Sequence, residues 1–160
     1  MWFFMNACYL LSFLTFLFLG MAMLQSFFPF DIISATPVTF IILTSIIYFL
    51  TETLIIFFFV GTGVSIKEFT LANRLQPDYH KKSIALKMKI YPPTLLNIML
   101  MIVLFVSLGA VDTGRLPRLI YQVFFLICLI HFAFMKRIQH QCFRDNTANI
   151  LAMSGIEKRF

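Results

Sequence analysis

The sequence predicts an all-α integral membrane protein with four transmembrane helices and both termini on the cytoplasmic (or matrix) side. The first observation is composition: 60% of the 160 residues are hydrophobic and 12% are charged. Soluble domains carry about 25% charged residues. The mean hydropathy of +0.88 therefore excludes an ordinary water-soluble domain and indicates helices that face lipid.

The second observation is four apolar segments, each separated from the next by polar residues. A helix needs about 20 residues to cross the hydrocarbon core of a bilayer. The first segment contains no Lys or Arg, so we interpret it as a retained helix and not as a cleaved signal peptide. Pro92 and Pro93 predict the start of the third helix. The predicted spans are residues 2–28, 38–60, 93–110 and 118–135.

Two polar segments complete the predicted organisation, which is a membrane domain over residues 1–135 and a tail over residues 136–160. Residues 64–91 predict a basic, amphipathic loop, with a short surface helix that ends at Pro77. The first part of the tail extends the fourth helix. Residues 145–147 (Asp-Asn-Thr) then predict the cap of a further short helix.

The third observation is the distribution of the 13 basic residues. Six lie in the loop after the second span and five in the tail, so two remain for the opposite side of the membrane. Basic residues accumulate on the cytoplasmic side of membrane proteins. The asymmetry therefore predicts that the loop, the tail and both termini share the cytoplasmic side, in a bacterial inner membrane or an organellar inner membrane.

The candidate site is a set of polar residues inside apolar spans: Glu52, Asn97, His131 and Asn6. A charged side chain at the centre of a bilayer costs about 2.5–3.5 kcal/mol on translocon scales, so Glu52 is a functional candidate by default. Three interpretations stay open. Glu52 is protonated or paired and holds the helices together; Glu52 and His131 form a proton or quinone site; or His131 contributes to a metal or haem site.

The histidine and cysteine pattern offers no metal site of the chain's own. His131 is the histidine within a span, whereas His80 and His140 lie in the predicted loop and tail. The three cysteines are isolated, without a CxxC pair. Quinone or haem would therefore need side chains from partner chains, while bound lipids are expected from the fold class alone.

Gly61 and Gly63 follow the second span directly. They predict either a helix end with a glycine cap or a bend where another helix comes close. The motif is not a phosphate-binding loop, because neither Gly-x4-Gly-Lys-Ser/Thr nor GxGxxG is present.

The function expected from these features is that of an accessory subunit of a multi-subunit membrane complex, of the respiratory or photosynthetic type, without catalysis of its own. A small membrane anchor that contributes to a quinone or haem site and a homo-oligomeric channel or carrier are the alternatives. Expected partners are other membrane subunits and anionic lipids, and not nucleic acid. The predicted docking residues are Lys67, Arg74, Lys81, Lys82, Lys87, Lys89, Lys136 and Arg137.

Overall fold

Four long helices form an antiparallel bundle in the computed structural model, which describes residues 2–28 and 36–155. They are α1 (Trp2–Phe27), α2 (Pro37–Ala72), α3 (Asp78–Asp112) and α4 (Arg118–Met153). Each helix packs against the next, and α1 also packs against α4, so the bundle closes on itself. All four are long and apolar enough to cross a membrane.

Three of the helices are much longer than a bilayer is thick. α2 and α4 have 36 residues each and α3 has 35. At 1.5 Å per residue each measures about 53 Å, whereas the hydrocarbon core is about 30 Å thick. They extend past their apolar parts at the end of the bundle where α2 ends, α3 begins and α4 ends. We call this the basic end.

The predicted basic loop is therefore a helical hairpin. α2 continues to Ala72, and α3 starts at Asp78 directly after Pro77. Only residues 73–77 form the turn, in which Arg74 takes a left-handed conformation with a φ of 50°. In the tail, α4 continues as predicted but runs on to Met153. Residues 145–147 therefore lie inside α4 and do not cap a separate short helix. The predicted connection over residues 29–35 lies outside the described residues.

Glycine and proline do not interrupt the helices where the sequence predicts helix ends. Gly61 and Gly63 lie inside α2, and Pro92 and Pro93 lie inside α3. A proline in a helix removes one backbone donor and frees the carbonyl four residues earlier. The carbonyls freed here belong to residues 88 and 89, which are exposed. Water or lipid headgroups can satisfy them, and packing against the neighbouring helices keeps α3 continuous.

The bundle interior has two apolar cores with a polar layer between them. The core away from the basic end includes Leu19, Phe40, Leu104 and Phe125. The core nearer the basic end is built around the buried residues Cys8, Ile55, Phe59, Ile90, Met135, Cys142 and Phe143. Between them lie the buried polar residues Thr15, Thr51, Glu52, Asn97 and Gln139.

The outer surface of the bundle is strongly apolar. Large hydrophobic side chains such as Leu10, Val106 and Ile130 are more than 60% exposed. A soluble bundle would place such side chains inside. An apolar outer surface, with the polar layer buried inside the bundle, is what lipid-facing helices require.

Gly61 and Gly63 offer a matched pair of substitutions. A Cβ atom at position 61 would meet no atom within 4 Å. Gly61→Ala should therefore raise the free energy of unfolding by about 0.5–1 kcal/mol, the usual gain from replacing a glycine inside a helix. A Cβ atom at position 63 would overlap the Lys87 side chain and lie 3.0 Å from Ser83 Oγ. Gly63→Ala should therefore gain less, or lose stability.

Thermal unfolding of the purified variants in detergent measures both effects. Adding Lys87→Ala to Gly63→Ala should recover part of the missing gain, because it removes the overlapping side chain. Equal gains for Gly61→Ala and Gly63→Ala would contradict the close approach of α3 to Gly63.

Candidate functional site

The centre of the polar layer is the carboxylate of Glu52, which is completely buried. Its Oε1 accepts hydrogen bonds from Lys136 Nζ at 2.8 Å and from Asn97 Nδ2 at 3.1 Å. Its Oε2 accepts from Gln139 Nε2 at 2.7 Å. Glu52 on α2 is thus bound by one donor from α3 and two donors from α4. Both oxygens have partners, as a carboxylate needs when water is excluded.

Lys136 is the cation of this buried ion pair. Its ammonium group also donates to Gln139 Oε1 at 2.8 Å. The same group lies 4.4 Å from the centre of the Phe132 ring, within the range of a cation–π interaction. Only 20% of the Lys136 side chain is exposed, so the charge lies mostly inside the bundle. Gln139 contacts both ions and is itself 2% exposed.

Asn97 connects the ion pair to His131. Its amide nitrogen donates to Glu52, and its Oδ1 accepts from Nδ1 of His131 at 3.0 Å. An amide oxygen cannot donate, so the proton of this bond belongs to His131 Nδ1. The Tyr48 hydroxyl donates to the backbone carbonyl of Asn97 at 3.0 Å. These bonds fix the orientation of Asn97 from two sides.

α1 joins the polar layer through threonine side chains and not through charge. Oγ1 of Thr15 and Oγ1 of Thr51 are 2.7 Å apart, and both residues are fully buried. The Thr51 hydroxyl also donates to the carbonyl of Ile47 in its own helix. The ionic part of the layer therefore connects α2, α3 and α4, while α1 is attached by a neutral contact next to Glu52.

The structure brings three of the four predicted cluster residues together, because Glu52, Asn97 and His131 form one hydrogen-bonded chain. Asn6 is not part of it; it is exposed near the start of α1. Lys136, one of the predicted docking residues, belongs to this network, with 20% of its side chain exposed. Lys87 lies half-buried against Gly63. The other predicted docking residues are exposed: Lys67, Arg74, Lys81, Lys82, Lys89 and Arg137.

Sequence reasoning did not include Lys136, Gln139 and Tyr48 in the cluster. A signal for the first two was present, because Lys136 and Gln139 are three residues apart and share one helix face. If α4 continues past Met135, both residues lie one to two turns beyond His131, at the depth of Glu52. Tyr48 gave no such signal, since interfacial and buried tyrosines look alike in sequence.

The site holds a buried ion pair. Across residues 2–28 and 36–155, no group of three or more His, Cys, Asp or Glu side chains is arranged to hold a metal ion. The described cysteines, Cys8, Cys128 and Cys142, are buried and unpaired by disulfides. His140 lies apart from His131, with its Nδ1 2.8 Å from the Tyr9 hydroxyl.

Comparison of the chain with models of protein families, with curated proteins and with solved structures found no match.

Lys136→Met tests whether the ion pair holds the bundle. The change leaves the buried Glu52 carboxylate without its cation, and losing one partner of a buried pair typically costs about 3–5 kcal/mol. Combining Lys136→Met with Glu52→Gln removes both charges and should restore most of the lost stability. Unfolding in a mixed detergent system measures the free energies of all three variants.

Arg137→Met is the matched control, since Arg137 is the next residue and is exposed. Its effect should stay within about 0.5 kcal/mol, as for most surface substitutions. If Lys136→Met costs no more than Arg137→Met, or if the double variant is as unstable as the single one, the pair does not hold the bundle.

Proposed function

We propose that this chain is a non-catalytic accessory subunit that stabilises a multi-subunit membrane complex, of an energy-transducing type. It would lie in a bacterial inner membrane or an organellar inner membrane, with both termini on the cytoplasmic or matrix side. The observation that carries the proposal is the closed hydrogen bonding of Glu52. Each carboxylate oxygen is occupied by donors of the same chain.

A carboxylate held in this way favours a structural role. A residue that exchanges protons or ions with a substrate needs a position open to it. Glu52 is instead surrounded by Lys136, Gln139 and Asn97, and its own exposed fraction is 0%. The network supports the interpretation in which a paired Glu52 connects helices. Its hydrogen bonds stabilise one arrangement of α2, α3 and α4.

Two surfaces are available for partner subunits. The sides of the bundle expose large apolar residues over the apolar parts of the helices, which suits either lipid or other transmembrane helices. The basic end extends the bundle about 20 Å beyond a hydrocarbon core, and it carries the exposed residues Lys67, Arg74, Lys81, Lys82 and Lys89. We propose that this end docks against partner subunits and anionic lipid headgroups.

The quinone or haem anchor remains the second candidate, with His131 as its residue. Nδ1 of His131 is bound to Asn97, and the ring is only partly buried. Nε2 is thus the nitrogen that could meet a cofactor held together with a partner chain. The homo-oligomeric channel is less well supported, because Glu52 points into its own bundle and cannot line a pore between copies without breaking the ion pair.

Native purification through a mild tag on this chain tests the proposal. Co-purification of larger membrane subunits at fixed stoichiometry would support it, and a visible spectrum of the same sample would then separate the two candidates. A Soret band that disappears in His131→Ala would favour the anchor. Recovery of the chain alone, as a colourless regular oligomer, would contradict both and direct attention to ion flux.

A charge-neutralising variant tests the basic end as the docking surface. Replacing Lys81, Lys82 and Lys89 with Gln should reduce co-purification of partners at least severalfold, because it removes three exposed charges from one end. The matched control replaces the exposed Arg115 and Arg118 with Gln at the opposite end. The thermal stability of the isolated chain should stay unchanged in both variants. Equal retention of partners would contradict docking through the basic end.

A further inference from the structure

A groove between α1 and α4 leads from the surface of the bundle to the buried ion pair. Its volume is about 290 Å³. The floor contains Lys136 and Gln139, which hold Glu52 from the other side. The residues that line it are Tyr9, Ser12, Phe13, Phe16, Ala133, Lys136, Gln139, His140 and Phe143.

The lining changes in character along the groove. Tyr9 and His140 lie at the part nearer the basic end, with the Tyr9 hydroxyl 2.8 Å from His140 Nδ1. Phe13, Phe16 and Ala133 lie further toward the middle of the bundle. Phe143 also lies at the part nearer the basic end, and most of the exposed groove surface is apolar. Such a surface suits an acyl chain, and the phosphate of the same molecule can meet the exposed side chains of Tyr9 and His140. An amphipathic molecule aligned with the bilayer matches both features at once.

Hydrogen-bond donors are available among the lining residues. The Lys136 ammonium group has three N–H groups, and Glu52 and Gln139 use two of them. Lys136 is one of the residues that line the groove, and a fifth of its side chain is exposed. Nδ1 of His140 is engaged by the Tyr9 hydroxyl, so Nε2 is the other ring nitrogen to consider. Across residues 2–28 and 36–155, that nitrogen makes no hydrogen bond.

The charge around the groove favours an anion. Within residues 2–28 and 36–155 no acidic side chain lines it, and α1 carries no charged residue. Glu52 and Lys136 together are neutral. The positive charge nearby is that of Arg137, which is exposed and lies outside the groove lining, next to Lys136 in the chain. Basic residues close to a membrane surface attract anionic lipids by about 1 kcal/mol each.

We propose that this groove is a specific binding site for one anionic phospholipid. The phosphate headgroup contacts Lys136, His140 and Arg137, and the upper part of one acyl chain lies against Phe13 and Phe16. The lipid covers the outer face of the ion pair and excludes water from it. This assignment stands apart from the proposed subunit role and holds equally for a chain that works alone.

The test uses the full-length chain, purified in mild detergent and mixed with equimolar phosphatidylglycerol and phosphatidylcholine. Native mass spectrometry counts the lipids that stay bound. The wild-type chain should retain one phosphatidylglycerol in preference to phosphatidylcholine. Ala133→Phe fills the groove and should remove this lipid, whereas Ala148→Phe, at an exposed alanine of the same helix outside the groove, should not.

Two headgroup variants keep the test decisive if Ala133→Phe disturbs folding. Arg137→Gln should lower the preference for phosphatidylglycerol about fivefold, whereas Arg144→Gln should leave it unchanged. His140→Ala should also weaken retention, while Gln141→Ala, at the exposed neighbouring residue, should not. Three outcomes would each overturn the assignment. The wild type could retain no lipid, it could retain lipid without preferring the anionic one, or the groove variants could leave retention unchanged.

Discussion

The cost of placing the Glu52 carboxylate inside an apolar bundle governs the rest of this structure. A buried charge is tolerated only when a counter-ion and enough hydrogen-bond donors surround it. The chain provides these from two other helices: Lys136 and Gln139 come from α4, and Asn97 comes from α3. Each donor reaches Glu52 only at one relative position of the helices. The ion pair connects α2 with α4, and the hydrogen bond from Asn97 adds α3. Apolar packing between lipid-facing helices has no such directional contacts.

The arrangement of the two cores follows from the same constraint. The polar layer occupies one depth in the bundle, and apolar side chains fill the space on either side of it. Aromatic contacts continue the packing away from the ions; Tyr48, for example, donates to the Asn97 backbone and packs against Phe132. Residues that fix the ions thus also belong to the apolar packing.

The number of helices could be predicted from the sequence, because hydropathy alone gives the positions of their apolar parts. Helix ends were not predictable in the same way. Glycines at 61 and 63 and prolines at 92 and 93 are strong stop and start signals in soluble helices, yet α2 and α3 pass through all four. Packing against neighbouring helices outweighs the local preference of these residues, and this packing is not visible in a single sequence.

The site was predictable to the extent that its residues stand out from their surroundings. Glu52, Asn97 and His131 are polar residues in apolar runs, and they meet in the bundle. Lys136 was assigned to the surface because it comes next to Arg137 at the end of an apolar run. One of these neighbours turns inward and the other outward, because successive helix positions are about 100° apart. The long side chain of Lys136 then carries its charge to the carboxylate.

The separation of the ion pair along the chain has a consequence for biosynthesis. Glu52 precedes Lys136 by 84 residues, and helices of a membrane protein leave the ribosome in order. α2 therefore leaves the ribosome before the lysine that pairs with its carboxylate has been made. During this interval Glu52 has none of the donors that α3 and α4 supply in the finished bundle. The bundle is completed only when α4 arrives, so the fourth helix supplies the counter-ion of the second.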